Sequence, residues 1–150
     1  MKDAINHIGD KYGLPNGWLN DDFMKTSSYS PNLSAFSKPY RIFNQVLNVR
    51  YVTGEYLIAM KLKSGRQYKN DLSDIVGILA EHEKQNCPIS KEVISKAVAD
   101  FYGGWNEIDE KSATFINAIL EHQRYEEMYS AIRENEQSTK SMLITFQDKQ

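Results

Sequence analysis

A mostly helical α+β domain is predicted, with a small sheet that includes residues 47–52 and is covered by helices. Three observations lead there. Apolar residues recur at helical spacing in most segments after residue 54. Alternation of apolar and polar residues is convincing in one stretch only, LNVRYV at 47–52. Hydrophobic residues at 41%, aromatics at 11% and charged residues at 25% give a chain of 150 residues enough apolar surface for one core.

The elements follow in order. Residues 1–12 read as a helix with Ala4, Ile5 and Ile8 on one side and Gly13 as its stop. In LPNGWLNDDFM, Asn16 is placed to cap a short helix carrying Trp18, Leu19 and Phe23, so the first 25 residues are expected to form a helical hairpin. Residues 26–39, with five serines and two prolines and no period, are expected to be a loop able to border a site. Leu47, Val49 and Tyr51 alternate with Asn48, Arg50 and Val52, and residues 40–43 supply a partner strand across a turn at Asn44 and Gln45. A two-stranded sheet is marginal alone, so something is expected to cover or extend it.

Thr53 can cap the next helix, in which Leu57, Ile58 and Leu62 face inward until Ser64 and Gly65 end it. Another helix starts at Asn70 or Asp71 and repeats Leu72, Ile75, Val76 and Leu79. After the break at NCPIS, Ser90 opens a helix with Val93, Ile94, Ala97, Val98 and Phe101 inside, stopped by Gly103 and Gly104, and Trp105 docks the turn. From Asp109 onward there is no glycine or proline. One rod over residues 110–146 would run about 55 Å, longer than such a domain is wide, so a break is expected at RENEQSTKS, residues 133–141. MLITF after it is either a docked terminus or a contact for another chain. The domain is thus a single one over 1–150, with 110–150 as a C-terminal helical extension.

Composition excludes several classes. With 18 basic and 20 acidic residues the net charge is −2, which argues against a nucleic-acid partner. The single Cys87 leaves no intrachain disulfide, and it lacks a neighbouring histidine and precedes proline in a turn, so a catalytic thiol is not expected. His7, His82 and His122 lie on separate helices without metal spacing. No signal or membrane span is apparent, and a cytoplasmic location follows by default.

The most informative stretch is EYLIAMKLKSGRQYKNDLSDIVGIL, residues 55–79. Lys61 falls one turn after Leu57 and beside Ile58 and Leu62, so its stem must run along the apolar side. Lys61, Lys63, Arg66 and Lys69 concentrate positive charge around a turn that can hold phosphate. Asp71 and Asp74, at i and i+3, face one way and come within reach of Lys61 if the two helices pack antiparallel. A plainer reading stays open: Asp71 as an N-cap, Asp74 as its acidic companion, and a solvated basic turn.

This stretch resembles the "eyLlAmKl-A-R-kD-xDi-xLl" segment of bacterial nucleotidyltransferase-like proteins, the superfamily that includes the AbiEii-type toxins and the minimal nucleotidyltransferases. GLPNGWLNDDF resembles the "gL-WlNd" stretch that precedes the late strand in members of that group, so the likeness spans roughly residues 10–80. It implies a partial nucleotidyltransferase-like fold in which Lys61, Arg66, Lys69, Asp71 and Asp74 line or brace a nucleotide cleft. Lys61 would contact phosphate or fix an aspartate, and Arg66 and Lys69 would balance triphosphate charge. Catalytic members carry a Gly-Ser turn and an Asp-x-Asp strand pair upstream, and nothing here matches them. The adjacent acids of NDD, residues 20–22, cannot present two carboxylates to one side as alternate strand positions do, and Glu55 is the nearest candidate for a third metal ligand.

The expectation is a catalytically incomplete nucleotidyltransferase-like protein acting as a binding or assembly component, by analogy in a toxin–antitoxin setting. Alone it would take no cofactor. In the alternative, a partner carrying the Asp-x-Asp strands completes the enzyme in trans, with magnesium and nucleotide. A third possibility is a structural homo-oligomer joined through the C-terminal helix.

Overall fold

The computed structural model describes residues 2–15, 17–66 and 69–147. Asn16, expected to cap a short helix, lies outside the described residues, as do the side chains from residue 145 on. Among the described residues, seven helices and one two-stranded antiparallel sheet make up a mostly helical α+β fold. No helix among them is long and apolar enough to cross a membrane.

The N-terminal helix α1 (Lys2–Tyr12) stops at Gly13, whose φ of +63° suits glycine. The expected second helix of a hairpin is replaced by bends and a single 3-10 turn at Asp22–Lys25. Trp18 instead lies back across α1, donating from Nε1 to the Ile5 carbonyl at 3.2 Å and packing its ring over buried Gly9. A tight contact with a glycine organises this corner better than a helix that lacks an apolar period.

Residues 26–37 are more ordered than a loop. They hold a one-turn helix α2 (Leu33–Phe36), and their polar groups cover the end of α5 (Lys91–Tyr102). Fully buried Ser30 donates to the Phe101 carbonyl at 2.9 Å, and the Asn32 amide donates to that of Asp100 at 2.9 Å. Tyr102 returns a bond to the Ser28 carbonyl at 2.6 Å. The serine richness that looked aperiodic thus pairs helix-end carbonyls that would otherwise lack donors.

Strands β1 (Lys38–Phe43) and β2 (Leu47–Tyr51) pair antiparallel, with Arg41 opposite Val49 and Phe43 opposite Leu47. Asn44 and Gln45 both take positive φ, as hairpin turns require. Among the described residues no helix covers this sheet: β1 is exposed throughout, and in β2 only Val49 is half-buried. The helices that were to cover it bury their apolar faces against each other instead.

That core is built by α3 (Gly54–Ser64), α4 (Asp71–Lys84), α5, α6 (Glu110–His122) and α7 (Tyr125–Gln147). Ile58, Leu62, Ile75, Val76, Ile94 and Val98 are fully buried there, with Ile116, Ile119 and Tyr125 closing it from the last two helices. The segment from residue 110 is therefore part of the core. Val93, expected inside, is 44% exposed. Helix α5 is capped by Ser90, which accepts from the Val93 amide, and ends at Gly103, while Trp105 donates to Ser95 at 3.1 Å. Asp109 caps α6 through the Ser112 amide at 3.0 Å.

The expected break falls earlier than RENEQSTKS. Gln123 adopts a left-handed φ of +51° and ends α6, and the polar stretch runs uninterrupted through α7. Helix α7 lies along α4, and Met142, Leu143 and Ile144 near its end are exposed. Those three residues are helical and not docked.

Candidate functional site

Helices α3 and α4 are consecutive and pack antiparallel, since Gly54 meets His82 at one end while Lys61 meets Asp71 and Asp74 at the other. The sequence dictates this geometry. Left-handed Gly65 stops α3, with its amide on the Lys61 carbonyl, and the i, i+3, i+4, i+7 stripe of α4 turns Ile75, Val76 and Leu79 onto Ile58 and Leu62.

Lys61 donates to Asp71 Oδ1 at 3.0 Å and to Asp74 Oδ2 at 2.7 Å. Arg66 reaches Asp71 through Nε at 2.9 Å and Nη2 at 3.3 Å. Asp71 is thus the first residue of α4 rather than its cap, and its 1% exposed carboxylate turns back toward the end of α3. Lys69 lies in the exposed turn, its amide bonded to the Arg66 carbonyl at 3.3 Å. Four of the five residues singled out by sequence therefore meet, and the fifth borders them.

Two participants on α7 had no sequence signal. Glu136 of α7, 5% exposed, accepts from the Leu72 and Ser73 amides at 3.0 and 3.4 Å and from the Ser73 hydroxyl at 2.5 Å. It caps α4, a role the Asn70 side chain leaves unfilled. Arg133, one turn earlier, reaches Ser73 at 3.3 Å and Asp74 at 3.7 Å. Arg133 and Glu136 sit in a polar stretch where nothing local distinguishes an inward-facing charge from a solvated one.

The network holds Lys61, Arg66 and Arg133 against Asp71, Asp74 and Glu136, so its charges balance. Burial alone would push the Lys61 ammonium down, but its hydrogen bonds to Asp74 and Asp71 outweigh this and hold it above its usual value. Burial likewise pushes the Asp71 carboxyl up, and bonds from Arg66, Lys61 and Ser64 overcome it and hold the group below the usual carboxylate range. A lysine kept protonated has no lone pair, so Lys61 acts by charge and not as a base or amine nucleophile.

One flank of the network opens into a groove of about 530 Å³, walled by Lys61, Asp74 and His82 with Leu57 and Ile78. Tyr129 leans over Gly77, where a β-carbon would lie 3.2 Å from the ring. His82 also corrects the expectation that Cys87 lacks a neighbouring histidine. Asn86 takes a left-handed φ of +56° and folds the chain back, so the Cys87 amide reaches the His82 carbonyl at 3.0 Å. The imidazole Nδ1 then lies 3.2 Å from the Cys87 carbonyl oxygen and 3.6 Å from Sγ.

Comparison with protein-family models, curated proteins and solved structures gives no significant match. What the chain does must be argued from its own surfaces. Among the described residues, no three histidine, cysteine or acidic side chains converge as metal ligands. Among the described residues, the hairpin leaves several large apolar side chains in water. Tyr40, Ile42, Val46 and Leu47 are 71, 63, 89 and 59% exposed. Lys38, Arg41 and Arg50 enter no ion pair among the described residues, and the hairpin contains no acid.

Proposed function

We propose that this chain is a catalytically incomplete nucleotidyltransferase-like protein that serves as a binding or assembly component, with the β1–β2 hairpin as its contact surface. The exposure of that hairpin carries the proposal. Large apolar side chains stand in water on both faces of the hairpin, Ile42 on one and Phe43 and Leu47 on the other, and exposed apolar surface of that kind marks interaction sites. The α3–α4 charges support it too. Lys61, which the resemblance would set on phosphate or on an aspartate, and Arg66, which it would set against triphosphate charge, are engaged by Asp71 and Asp74, an arrangement suited to bracing two helices.

The homo-oligomer reading draws on Met142, Leu143 and Ile144, 58, 45 and 48% exposed on α7. Sedimentation velocity of the wild type and of Leu143→Glu distinguishes the two, since only the helix-mediated oligomer would dissociate.

A photo-reactive amino acid at Tyr40 or at exposed Thr114 of α6, introduced in bacterial cells, tests the hairpin surface. One discrete adduct from position 40 and none from position 114 is expected; adducts from both or neither would remove the hairpin. Incubation with labelled nucleotide and magnesium tests the incomplete-enzyme part. Transfer by the purified chain alone would contradict it.

A further inference from the structure

The two edges of the hairpin differ. Strand β1 carries Pro39, which has no N–H, and its register slips between Pro39 and Arg41. Both features obstruct the addition of a strand. Strand β2 has neither, and no strand pairs with its outer edge among the described residues. Its faces are also unequal. Leu47, Val49 and Tyr51 share one side, and Asn48 and Arg50 the other.

From this we infer that the outer edge of β2 accepts a strand from an acidic partner polypeptide, with alternating residues apolar beside Leu47, Val49 and Tyr51 and a carboxylate beside Arg50. This rests on the assembly role proposed above and specifies its chemistry. Charge selects the partner. Lys38, Arg41 and Arg50 give the hairpin three positive charges and no carboxylate; Arg50 lies on the polar face of β2, while Lys38 and Arg41, opposite Tyr51 and Val49, lie on the other. Arg50 is held toward the sheet by Ser37, through Nε at 2.8 Å and Nη2 on the backbone oxygen, so its position is fixed while its charge is unanswered.

A second copy fits this edge poorly. Two β2 strands pairing about a two-fold axis would bring Arg50 of each copy onto the same face of one small sheet, and like charges there destabilise it. With Leu47 and Tyr51 59 and 48% exposed and Val49 half-buried, the apolar area on this face is on the order of 300 Å². That suits a single strand and falls short of the roughly 800 Å² per partner of a stable dimer. Single-stranded nucleic acid would answer the charges and stack on Tyr40 and Phe43. It would leave Ile42, Val46 and Leu47 unmatched and the backbone edge unpaired.

The test uses the full chain and a fluorescein-labelled octapeptide of alternating valine and glutamate, followed by anisotropy. Saturable binding is expected, at least tenfold weaker for the lysine-for-glutamate peptide. Leu47→Glu, a surface change that leaves the melting curve in place, is expected to weaken it tenfold as well. Two further peptides are N-methylated on all valines or on all glutamates. Only one should bind, because alternate N–H groups face opposite sides of a strand. No saturable binding, equal binding of both methylated peptides, or equal binding of the lysine peptide would each overturn strand addition. So would tighter binding of a single-stranded oligonucleotide, or a dimer that Leu47→Glu dissociates. A discrete adduct from position 40 together with a silent peptide would retain the assembly role and reject this mode of it.

Discussion

Replacing Asp71 by asparagine keeps the shape of the side chain and removes its charge at the point where Lys61 and Arg66 converge. The carboxylate is 1% exposed and accepts four hydrogen bonds: Lys61 at 3.0 Å, the Arg66 side chain at 2.9 and 3.3 Å, and the Arg66 amide at 3.3 Å. A hydrogen bond to a charged group contributes about 1.5–3 kcal/mol. Asparagine retains one acceptor, Lys61 keeps Asp74, and Arg66, 45% exposed, can turn to water, so the net loss is about 2 kcal/mol. In a chain of this length that lowers the melting temperature by about 4–8 °C.

The loss also depends on pH. Because folding depresses the Asp71 pKa below its ordinary 3.8, the charged group contributes its full stability above that value and loses it as pH falls toward the depressed one. Urea titrations followed by far-ultraviolet circular dichroism, from about pH 6 to about pH 3, should show wild type and Asp71→Asn converging at the acid end. A difference below about 0.5 kcal/mol at neutral pH, or one constant through the acid range, would refute the ionic lock.

Three other outcomes are expected. Glu136→Ala removes the α4 cap and leaves the Leu72 and Ser73 amides without an acceptor; it should cost about 2–3 kcal/mol and raise hydrogen exchange at those two amides first. Gly54→Ala would put a β-carbon 2.5 Å from His82 Nε2, so it should destabilise by about 1–3 kcal/mol, with at least half recovered on adding His82→Ala. Ser30→Ala removes the buried donor to the Phe101 carbonyl and should cost about 1–2 kcal/mol in urea unfolding, whereas a neutral effect would mean that the 26–37 segment is not fastened there.

The parts of this molecule legible in its sequence are those written in local period. The stripe Ile75, Val76, Leu79 named the buried face of α4, and one-turn spacing put Asp71 and Asp74 on the side that Lys61 reaches. What was not legible depends on distant partners or on unmarked backbone states. Gln123 ends α6 in a left-handed conformation that glutamine does not advertise. Glu136 looks like any solvated glutamate until the start of α4 lies under it. Ser30 reads as loop until the end of α5 supplies its acceptor. Cover for the sheet was inferred from the weakness of two strands alone, and the helices had a better use for their apolar faces in one another.

The acceptor that closes the first turn of α4 lies 64 residues further along the chain than the Leu72 amide it receives. As the polypeptide leaves the ribosome, that turn remains open to water until Glu136 has emerged. Any product released early, before α7 has emerged, carries α3 and α4 with a loose joint between them.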